Sequence, residues 1–542
     1  MIFFQINTLF WINILLATSS GLLMTASFPP LNMSLAAYIC WIPYFFAVRQ
    51  CSFFLTIGLS VLTCLVHESI LISWIIPTLT TQAKFSVQYS SFILFVISLI
   101  MSIWFILFGC VIYLVVKKPG HLFMLPFAWV GIEWLKQFGP LAFPWELLGY
   151  SQYQWIHLIQ IADCLGVYGI SGFVMLINVT GFIVFLFIVH RPWKKKYISK
   201  HLMACSLMIS IGVMVFLNIY GVIRISETND LIARSPHKSI MIVQPSVPQS
   251  EKWKGENRLP ITQTMVHLTY KAKTGDVDLV VWPETALPYA LHSKHKLRQY
   301  ILNAQKHMNT GLVTGSPAFV YKNGQMHHYN SAYVINEKGI IHSRYDKVRR
   351  VPFSEYMPFY SLRNLWLSLG APDEKFSPGR TGEIHQLNDF KMGIQICFEI
   401  VFPQYARQMA NNGANVLINI SNDAWFGRSA CPYQHFSMAV FRAVENKRAL
   451  IRCANTGISG FIDPWGRILM QTGLFEKIAM TQQVPLISHK TVYSRIGDCF
   501  AVGAVLFVLG WIICGLLLYA IRKKRPAWKP RQAFLGKNNY EE

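Results

Sequence analysis

The sequence predicts a polytopic α-helical membrane domain of about eight transmembrane helices that carries one soluble α/β domain. Of its 542 residues, 53% are hydrophobic and only 14% are charged, and the mean hydropathy is +0.35. This composition excludes an ordinary cytosolic enzyme and a disordered chain. The apolar residues also gather into long runs within residues 1–223 and into one run near the C-terminus. The region between them is of mixed composition, as expected for a soluble domain.

Eight runs are long and apolar enough, or nearly so, to cross a bilayer, which takes about 20 residues. They cover residues 8–28, 34–48, 53–76, 91–116, 122–135, 169–189, 203–223 and 499–521. The second and fifth runs are short, so we expect them to be tilted, kinked or re-entrant, and six or seven spans are the alternative count. A cleaved signal peptide is disfavoured for the first run, because it lacks a basic segment and a small-x-small cleavage site.

Basic residues flank the runs and predict the topology. With the N-terminus inside, the cytoplasmic side holds Arg49, the Lys117–Lys118 pair, the loop 191–200 and a basic tail over 522–542. The predicted organisation is then a transmembrane domain (1–223), an extracytoplasmic domain (224–498) and a C-terminal transmembrane helix (499–521). The net charge of +23, from 49 Lys and Arg against 26 Asp and Glu, is explained by topology. A nucleic-acid partner is excluded, because the soluble part has no basic groove interleaved with aromatics.

Ionisable residues inside the apolar runs are candidates for function by default, although one near a helix end can simply reach the interface. His67, Glu68 and Glu133 are the residues of this kind.

The soluble region has the pattern of an α/β domain, with short β-branched runs separated by turns or helical patterns. The predicted strands cover 239–247, 278–282, 311–315, 329–336, 391–397, 416–421 and 451–462. Since sites form at strand ends in such sheets, reactive side chains directly after these runs are candidates.

Three candidates are Glu284, just after the run 278–282, Lys347 in Tyr345-Asp346-Lys347, and Cys397 at the end of the run 391–397. A cysteine nucleophile needs a base that forms the thiolate and a positive group that holds the oxyanion, and a carboxylate and an ammonium can fill these roles. Singly, each residue has a plainer interpretation: a helix N-terminal acid, a loop charge and a small buried hydrophobe. The presence of all three residues together favours a catalytic site.

Other cysteine and serine chemistries find less support. Of 11 cysteines, only Cys397, Cys431 and Cys453 lie away from the apolar runs, and no CxxC spacing predicts a disulfide scaffold or a zinc site. No GxSxG motif accompanies the soluble histidines His327, His328 and His435.

Three stretches resemble the signatures of the nitrilase (carbon–nitrogen hydrolase) superfamily, in the expected order. They are Val281-Trp282-Pro283-Glu284-Thr285-Ala286, then Tyr345-Asp346-Lys347 with Val351-Pro352-Phe353-Ser354-Glu355, and Gln395-Ile396-Cys397-Phe398-Glu399. The spacings of 63 (347 minus 284) and 50 (397 minus 347) residues fit that superfamily's Glu-Lys-Cys triad. The resemblance implies a nitrilase-like αββα sandwich.

The sequence resembles one membrane-bound branch still more closely, the apolipoprotein N-acyltransferase family. The stretches typical of it are residues 244–253 (QPSVPQSEKW), 420–427 (ISNDAWFG), Phe143-Pro144-Trp145 and Gly149-Tyr150-Ser151-Gln152. The resemblance therefore covers both the membrane part and the soluble part of the chain.

The resemblance implies a role for each matching residue. Cys397 is the nucleophile, Glu284 the general base and Lys347 the group that stabilises the tetrahedral intermediate. Glu355 is a supporting carboxylate, and Trp253 and Glu399 are expected in loops that govern access. Phe398 departs from the family, which commonly has Tyr at this position. If the Tyr hydroxyl makes a hydrogen bond, this protein lacks it; if only the ring packs against an acyl chain, nothing is lost.

The resemblance also implies the reaction and its partners. A fatty acyl chain passes from a membrane phospholipid to Cys397 as a thioester, and then to the α-amine of a diacylglyceryl-cysteine at a lipoprotein N-terminus. The implied location is a bacterial inner membrane, with the catalytic domain on the periplasmic side and both termini in the cytoplasm. No metal or organic cofactor is implied.

Two other classes of function stay open from the sequence. A membrane-tethered amidase or nitrilase would use the same triad with water as the acceptor, but a tether needs one span. A transporter with a binding domain would leave the triad unexplained and would need broken helices in related halves.

Overall fold

The computed structural model describes residues 2–293, 296–368 and 376–524. Residues 525–542 of the predicted basic tail lie outside the described residues. The helices of the membrane domain are α1 (Ile2–Ala26), α2 (Ile42–Val48), α3 (Phe53–Leu71), α4 (Ile75–Gln82), α5 (Val87–Leu114), α6 (Leu125–Leu135), α7 (Ile156–Ile159), α8 (Ala162–Leu165), α9 (Val167–Ile188) and α10 (Lys200–Arg234).

Within the described residues, six helices are long and apolar enough to cross a membrane. They are Thr8–Ala26, Phe53–Leu71, Val87–Leu114, Val167–Ile188, Lys200–Arg234 and Cys499–Leu517. The two runs predicted to be short fold as a 3₁₀ turn followed by a short helix, Ser34–Tyr38 with α2 and Pro119–Met124 with α6. Proline at the start of both α2 and α6 suits a first helical turn, where its missing N–H costs nothing.

The ionisable residues in the membrane domain point into the bundle. His67 Nδ1 lies 3.0 Å from Thr25 Oγ1, and Glu68 is buried beside it. Glu133 accepts hydrogen bonds from Trp129 Nε1 at 2.9 Å and from the backbone N–H of Leu148 at 2.7 Å. Glu133 thereby ties α6 to the loop that follows it.

The soluble domain is built from two sheets of six strands with helices outside them. Its strands are β1 (His237–Gln244), β2 (Leu279–Val281), β3 (Gly311–Lys322), β4 (Gln325–Ile335), β5 (Ile341–Asp346), β6 (His385–Leu387), β7 (Phe390–Ile396), β8 (Val416–Ser421), β9 (Ala449–Ala454), β10 (Gly460–Ile462), β11 (Ile468–Gln471) and β12 (Ile478–Pro485). Its helices are α11 (Gln249–Lys252), α12 (Arg258–Ala272), α13 (Lys296–Met308), α14 (Arg363–Ser368), α15 (Pro403–Asn411), α16 (Cys431–Asn446) and α17 (Val492–Ile496), and α18 (Cys499–Lys524) returns to the membrane.

Both sheets have three parallel strands in the centre and antiparallel strands at the edges. The strand orders are β12-β1-β2-β3-β4-β5 and β11-β10-β9-β8-β7-β6, with β1–β2–β3 and β7–β8–β9 parallel. Parallel strands are buried on both faces, which agrees with the burial of every residue of β8 and of all residues of β7 except Lys391.

Alternation along the strands shows the layers. On β1, Ile240 and Ile242 belong to the core that the two sheets share. Met241 and Val243 face the other way and pack with Met265 of α12 and with α13. The outer face of the second sheet is covered by α15 and α16. This is the expected αββα sandwich.

The strand predictions omit four strands of the structure, β5, β6, β11 and β12, and they differ from it at one further point. The run 451–462 was predicted as one strand, and this is wrong: the chain turns between β9 and β10, which pair antiparallel. Ser459 closes the turn, because its hydroxyl accepts a hydrogen bond from Ala454 N at 2.9 Å. Two adjacent apolar strands and a tight turn are indistinguishable from one long strand by alternation alone.

Candidate active site

Glu284, Lys347 and Cys397 lie just beyond the ends of β2, β5 and β7. The first two come from one sheet and Cys397 from the other, so the site forms where the two sheets face each other. Lys347 Nζ lies 3.5 Å from Glu284 Oε1, and all three side chains are buried. The turn after β2 runs against β3 at Gly315, where a Cβ atom would lie 2.3 Å from the backbone nitrogen of Thr285. Glycine there allows Glu284 to approach Lys347.

Two carboxylates hold the Lys347 ammonium. Lys347 Nζ donates to Glu355 Oε1 at 2.8 Å, in addition to the contact with Glu284. Burial alone would lower the pKa of Lys347, but the charges of Glu355 and Glu284 raise it above its usual range. The lysine is therefore a permanent cation of the site.

Asn330 on β4 joins the two carboxylates, and the sequence had not pointed to it. Its amide donates to Glu284 Oε1 at 2.7 Å and to Glu355 Oε1 at 3.2 Å. Glu355 Oε2 accepts from Val351 N at 2.8 Å. Glu284 and Glu355 are thus held in place around Lys347.

The nucleophile candidate has a strained backbone and a protonated thiol. Cys397 has φ of 52°, in the left-handed region that a non-glycine residue adopts at a cost. Burial, followed by the charge of Glu284, raises the pKa of Cys397 to about 12, and Lys347 opposes this shift. The resting group is therefore a thiol, which needs a base to ionise it.

Glu399 does not lie in an access loop, contrary to expectation. It is fully buried and accepts hydrogen bonds from four donors: Ile396 N at 2.7 Å, Val348 N at 2.6 Å, Arg349 N at 3.0 Å and Tyr345 Oη at 2.9 Å. Burial raises the pKa of Glu399 to about 7, against the effect of these donors. Its physical role is to join the loop of Lys347 to the end of β7.

Trp253 does lie in an accessible position, with 49% of its surface exposed. Lys252, the residue before it, is buried and donates to the backbone carbonyl of Glu284 at 3.1 Å. Burial lowers the pKa of Lys252 to about 7, although Glu284 and Cys397 raise it in part. The site therefore has a second lysine. Lys252 lies within the stretch 244–253, but the sequence alone did not single it out.

The Asn422-Asp423 motif forms a wall behind Cys397, whose thiol interacts with Asp423 and Ser421. Arg452 Nη2 donates to Asp423 Oδ2 at 2.9 Å, and Ser421 Oγ donates to Asp423 Oδ1 at 2.7 Å. Burial opposes ionisation of Asp423, but Arg452 outweighs it and keeps the pKa of Asp423 below its usual range. Asn422 accepts from Asn455 at 2.9 Å.

Comparison with known proteins decides the family. Sequence models of "Apolipoprotein N-acyltransferase N-terminal domain" and "Carbon-nitrogen hydrolase" match residues 20–180 and 241–488. The apolipoprotein N-acyltransferase of Geobacter metallireducens is 34% identical over 493 residues, which cover 90% of this chain and 92% of that protein. The chain belongs to the apolipoprotein N-acyltransferase family.

Two further proteins are similar to this chain at lower sequence identity and coverage. The apolipoprotein N-acyltransferase of Rickettsia prowazekii is 33% identical over 387 residues, or 70% of this chain and 74% of that protein. Among solved structures, Saccharomyces cerevisiae Nit3, of branch 10 of the nitrilase superfamily, aligns with 46% of this chain and 90% of its own at 21% identity and a TM-score of 0.37.

As a member of the apolipoprotein N-acyltransferase family, the protein is an acyltransferase of the carbon–nitrogen hydrolase superfamily and a multi-pass membrane protein. In this N-acyltransferase the membrane domain reaches the site directly. The ring of Phe143 stacks on that of Trp145, with centroids 5.3 Å apart, and on that of Phe398 at 6.1 Å. Phe398 also meets Phe402 edge-on at 5.1 Å. The ring of Phe398, the residue after Cys397, therefore packs among apolar rings.

Proposed function

We propose that this protein transfers a fatty acyl chain from a membrane phospholipid to the α-amine of an N-terminal diacylglyceryl-cysteine through a thioester on Cys397. The observation that carries the proposal is the arrangement of Glu284 and Glu355 around the buried Lys347. Next to them lies the thiol of Cys397, which is neutral at rest and stands on a strained backbone. This arrangement supplies a base, a fixed cation and a nucleophile.

In the first step Glu284 accepts the Sγ proton, and the thiolate of Cys397 attacks the carbonyl carbon of a phospholipid ester. The ammonium of Lys347 stabilises the oxyanion. The carbon–oxygen bond to glycerol then breaks, the departing alkoxide takes the proton from Glu284, and a lysophospholipid leaves.

In the second step the free α-amine of the acceptor attacks the thioester carbonyl. Glu284 takes a proton from the attacking nitrogen and passes it to the departing sulfur of Cys397. An amide forms and the thiol returns, so the cycle is ping-pong and needs no other co-reactant.

We further propose the division into a membrane domain (1–223), a catalytic domain (224–498), a last span (499–521) and a basic tail, with the catalytic domain on the periplasmic side of a bacterial inner membrane. The contacts of two basic loops support this topology. Lys194 Nζ donates to the backbone carbonyls of Ile112 at 3.1 Å and Tyr113 at 2.9 Å. The loops after α5 and α9 therefore share one face, and α10 leaves that face toward the catalytic domain. Positive loops favour the cytoplasmic side.

Intact-mass analysis tests the proposal. The purified protein in detergent is incubated with phospholipid and then offered a diacylglyceryl-cysteine peptide. We expect an acyl-sized adduct in the wild type and in Cys453→Ala, which removes another buried cysteine of this domain, but not in Cys397→Ala. The peptide should then discharge the adduct as an N-acyl peptide.

Two results would contradict the proposal. An adduct that decays equally fast without the peptide would mean that water is the acceptor. A wild type that forms no adduct with any phospholipid would refute the acyl donor.

A further inference from the structure

The backbone carbonyl of the nucleophile is held by a histidine of α16. His435 is buried, and its Nε2 lies 3.2 Å from the carbonyl oxygen of Cys397. Its Nδ1 lies 2.9 Å from Arg452 Nη2. A guanidinium only donates and a carbonyl only accepts. His435 therefore accepts at Nδ1 and donates from Nε2–H to Cys397, as a neutral imidazole. Burial and the charge of Arg452 lower the pKa of His435, whereas Asp423, whose Oδ1 lies 3.4 Å from Nδ1, opposes this shift. The net lowering agrees with a neutral imidazole.

Arg452 holds a second donor to the same carbonyl. Asn419 Nδ2 lies 3.5 Å from the carbonyl oxygen of Cys397, and Asn419 Oδ1 accepts from Arg452 Nη1. A residue with positive φ keeps that conformation only where its surroundings impose it. The hydrogen bonds to the Cys397 carbonyl are such a constraint.

The residue before His435 docks into the membrane domain. The side-chain oxygen of Gln434 accepts from Trp74 Nε1 at 3.1 Å and from Trp145 Nε1 at 2.9 Å. Its amide nitrogen donates to the backbone carbonyls of Pro29 at 3.2 Å and Leu71 at 3.0 Å. All four hydrogen bonds of this buried amide thus go to groups of the membrane domain.

Trp145 of the membrane domain, which donates to Gln434, also contacts His435. The ring of Trp145 lies 5.7 Å from the imidazole, at an interplanar angle of 32°. One tryptophan therefore contacts both Gln434 and His435. A shift of the membrane domain against α16 would move the donor that holds the nucleophile.

We propose that His435 is a positioning residue for Cys397, and that Gln434 makes this positioning depend on how the membrane domain packs against α16. The proposal deepens the function above and rests on Cys397 being the nucleophile. It assigns to two neighbouring residues a role that neither the triad nor its carboxylates fill: they fix the backbone from which the thiol attacks.

Single-turnover acylation of the full-length protein in detergent tests the proposal. The rate of acyl-thioester formation and its dependence on phospholipid concentration are followed by intact mass. His435→Ala should slow the maximal rate about 10- to 100-fold, the effect of an unmade buried hydrogen bond, and leave the half-saturating lipid concentration unchanged. His435→Gln keeps a side-chain N–H and should recover most of the rate. The matched control His292→Ala removes a histidine that hydrogen-bonds Tyr333 at 3.1 Å in the same domain and should acylate at the wild-type rate.

A double-mutant cycle tests the coupling. Gln434→Ala and Trp145→Phe, which keeps the ring but removes the donor, should each slow acylation by up to about tenfold. Gln434→Ala combined with His435→Ala should be no slower than His435→Ala alone. If the two effects multiply, Gln434 acts independently and the coupling is wrong.

The remaining outcomes separate this inference from the proposed function. A wild type that never forms the adduct refutes the function, whereas a wild type that forms it at the same rate as His435→Ala refutes only the positioning role. If His435→Ala does not fold, His435→Gln and Trp145→Phe decide. The proposal is then overturned if Trp145→Phe acylates at the wild-type rate while His435→Gln shows no acylation above that of an unfolded sample.

Discussion

Lys252 donates a hydrogen bond to the backbone carbonyl of Glu284 at 3.1 Å, and no carboxylate among the described residues lies within ion-pair distance of its ammonium. Lys347, which contacts the side chain of Glu284, has two carboxylate partners. Glu284 therefore contacts one lysine that stays charged and one whose charge depends on pH near neutrality.

The buried Lys252 should make stability depend on pH. Its pKa falls from 10.5 to about 7 on folding, so between these values the unfolded chain binds a proton that the folded chain does not. Stability therefore rises with pH in this window, by at most about 1.4 kcal/mol per pH unit, and is constant below it. The Tm of the wild type relative to Lys252→Met should increase from pH 7 to pH 9. The exposed Lys271→Met is the control, and a pH-independent gap for Lys252→Met would contradict the assignment.

Replacing Glu355 should impair catalysis by releasing Lys347. In Glu355→Gln the ammonium loses its 2.8 Å carboxylate partner and keeps only Glu284, the group that we propose as the base. We expect acyl-thioester formation to fall at least about 100-fold, the usual cost of losing one group that stabilises an oxyanion. Glu251→Gln, at an exposed pair with Lys254, should not change the rate. An equal rate in both variants would show that Glu355 is dispensable.

Gly457→Ala should disturb the wall behind the nucleophile. A Cβ atom there would lie 2.1 Å from Asp423 Oδ2 and 2.7 Å from Asp423 Cβ, and Arg452 and Ser421 prevent Asp423 from moving away. We expect a loss of about 1–3 kcal/mol of stability, as for other overpacked sites, seen as a lower Tm, together with slower acylation. At Gly255, where an added Cβ meets nothing within 4 Å, alanine should leave both quantities unchanged. Wild-type acylation in Gly457→Ala would mean that the Asp423 wall does not bear on Cys397.

The departure at Phe398 should matter little for chemistry. Its ring packs between Phe143 and Phe402, so the ring, rather than a hydroxyl, makes the contacts. Phe398→Tyr should acylate within about threefold of the wild type, whereas Phe398→Ala should lose about 3–5 kcal/mol of packing and acylate far more slowly. Acylation rates and Tm values of both variants check this. A large gain in rate for Phe398→Tyr would show that the hydroxyl takes part.

Sequence patterns were sufficient where the signal is local. Apolar runs of about 20 residues located the six long helices and marked α2 and α6 as short, because span length follows from bilayer thickness. The motifs around Glu284 and Cys397 placed both residues at strand ends, whereas the strand β5 before Lys347 was not predicted. Glu355, eight residues after Lys347, is its closest carboxylate.

The sequence by itself determined the two-part architecture, the family and the reactive groups, because periodicity and short motifs are written along the chain. Only the tertiary structure decided which groups surround them. Asn330 reaches Glu284 from 46 residues away, His435 reaches Cys397 from 38, and Gln434 reaches Pro29 from 405. The burial of Glu399 and the turn between β9 and β10 likewise depend on partners from distant segments. Such contacts arise when two sheets and a membrane domain pack together, and no local pattern records them.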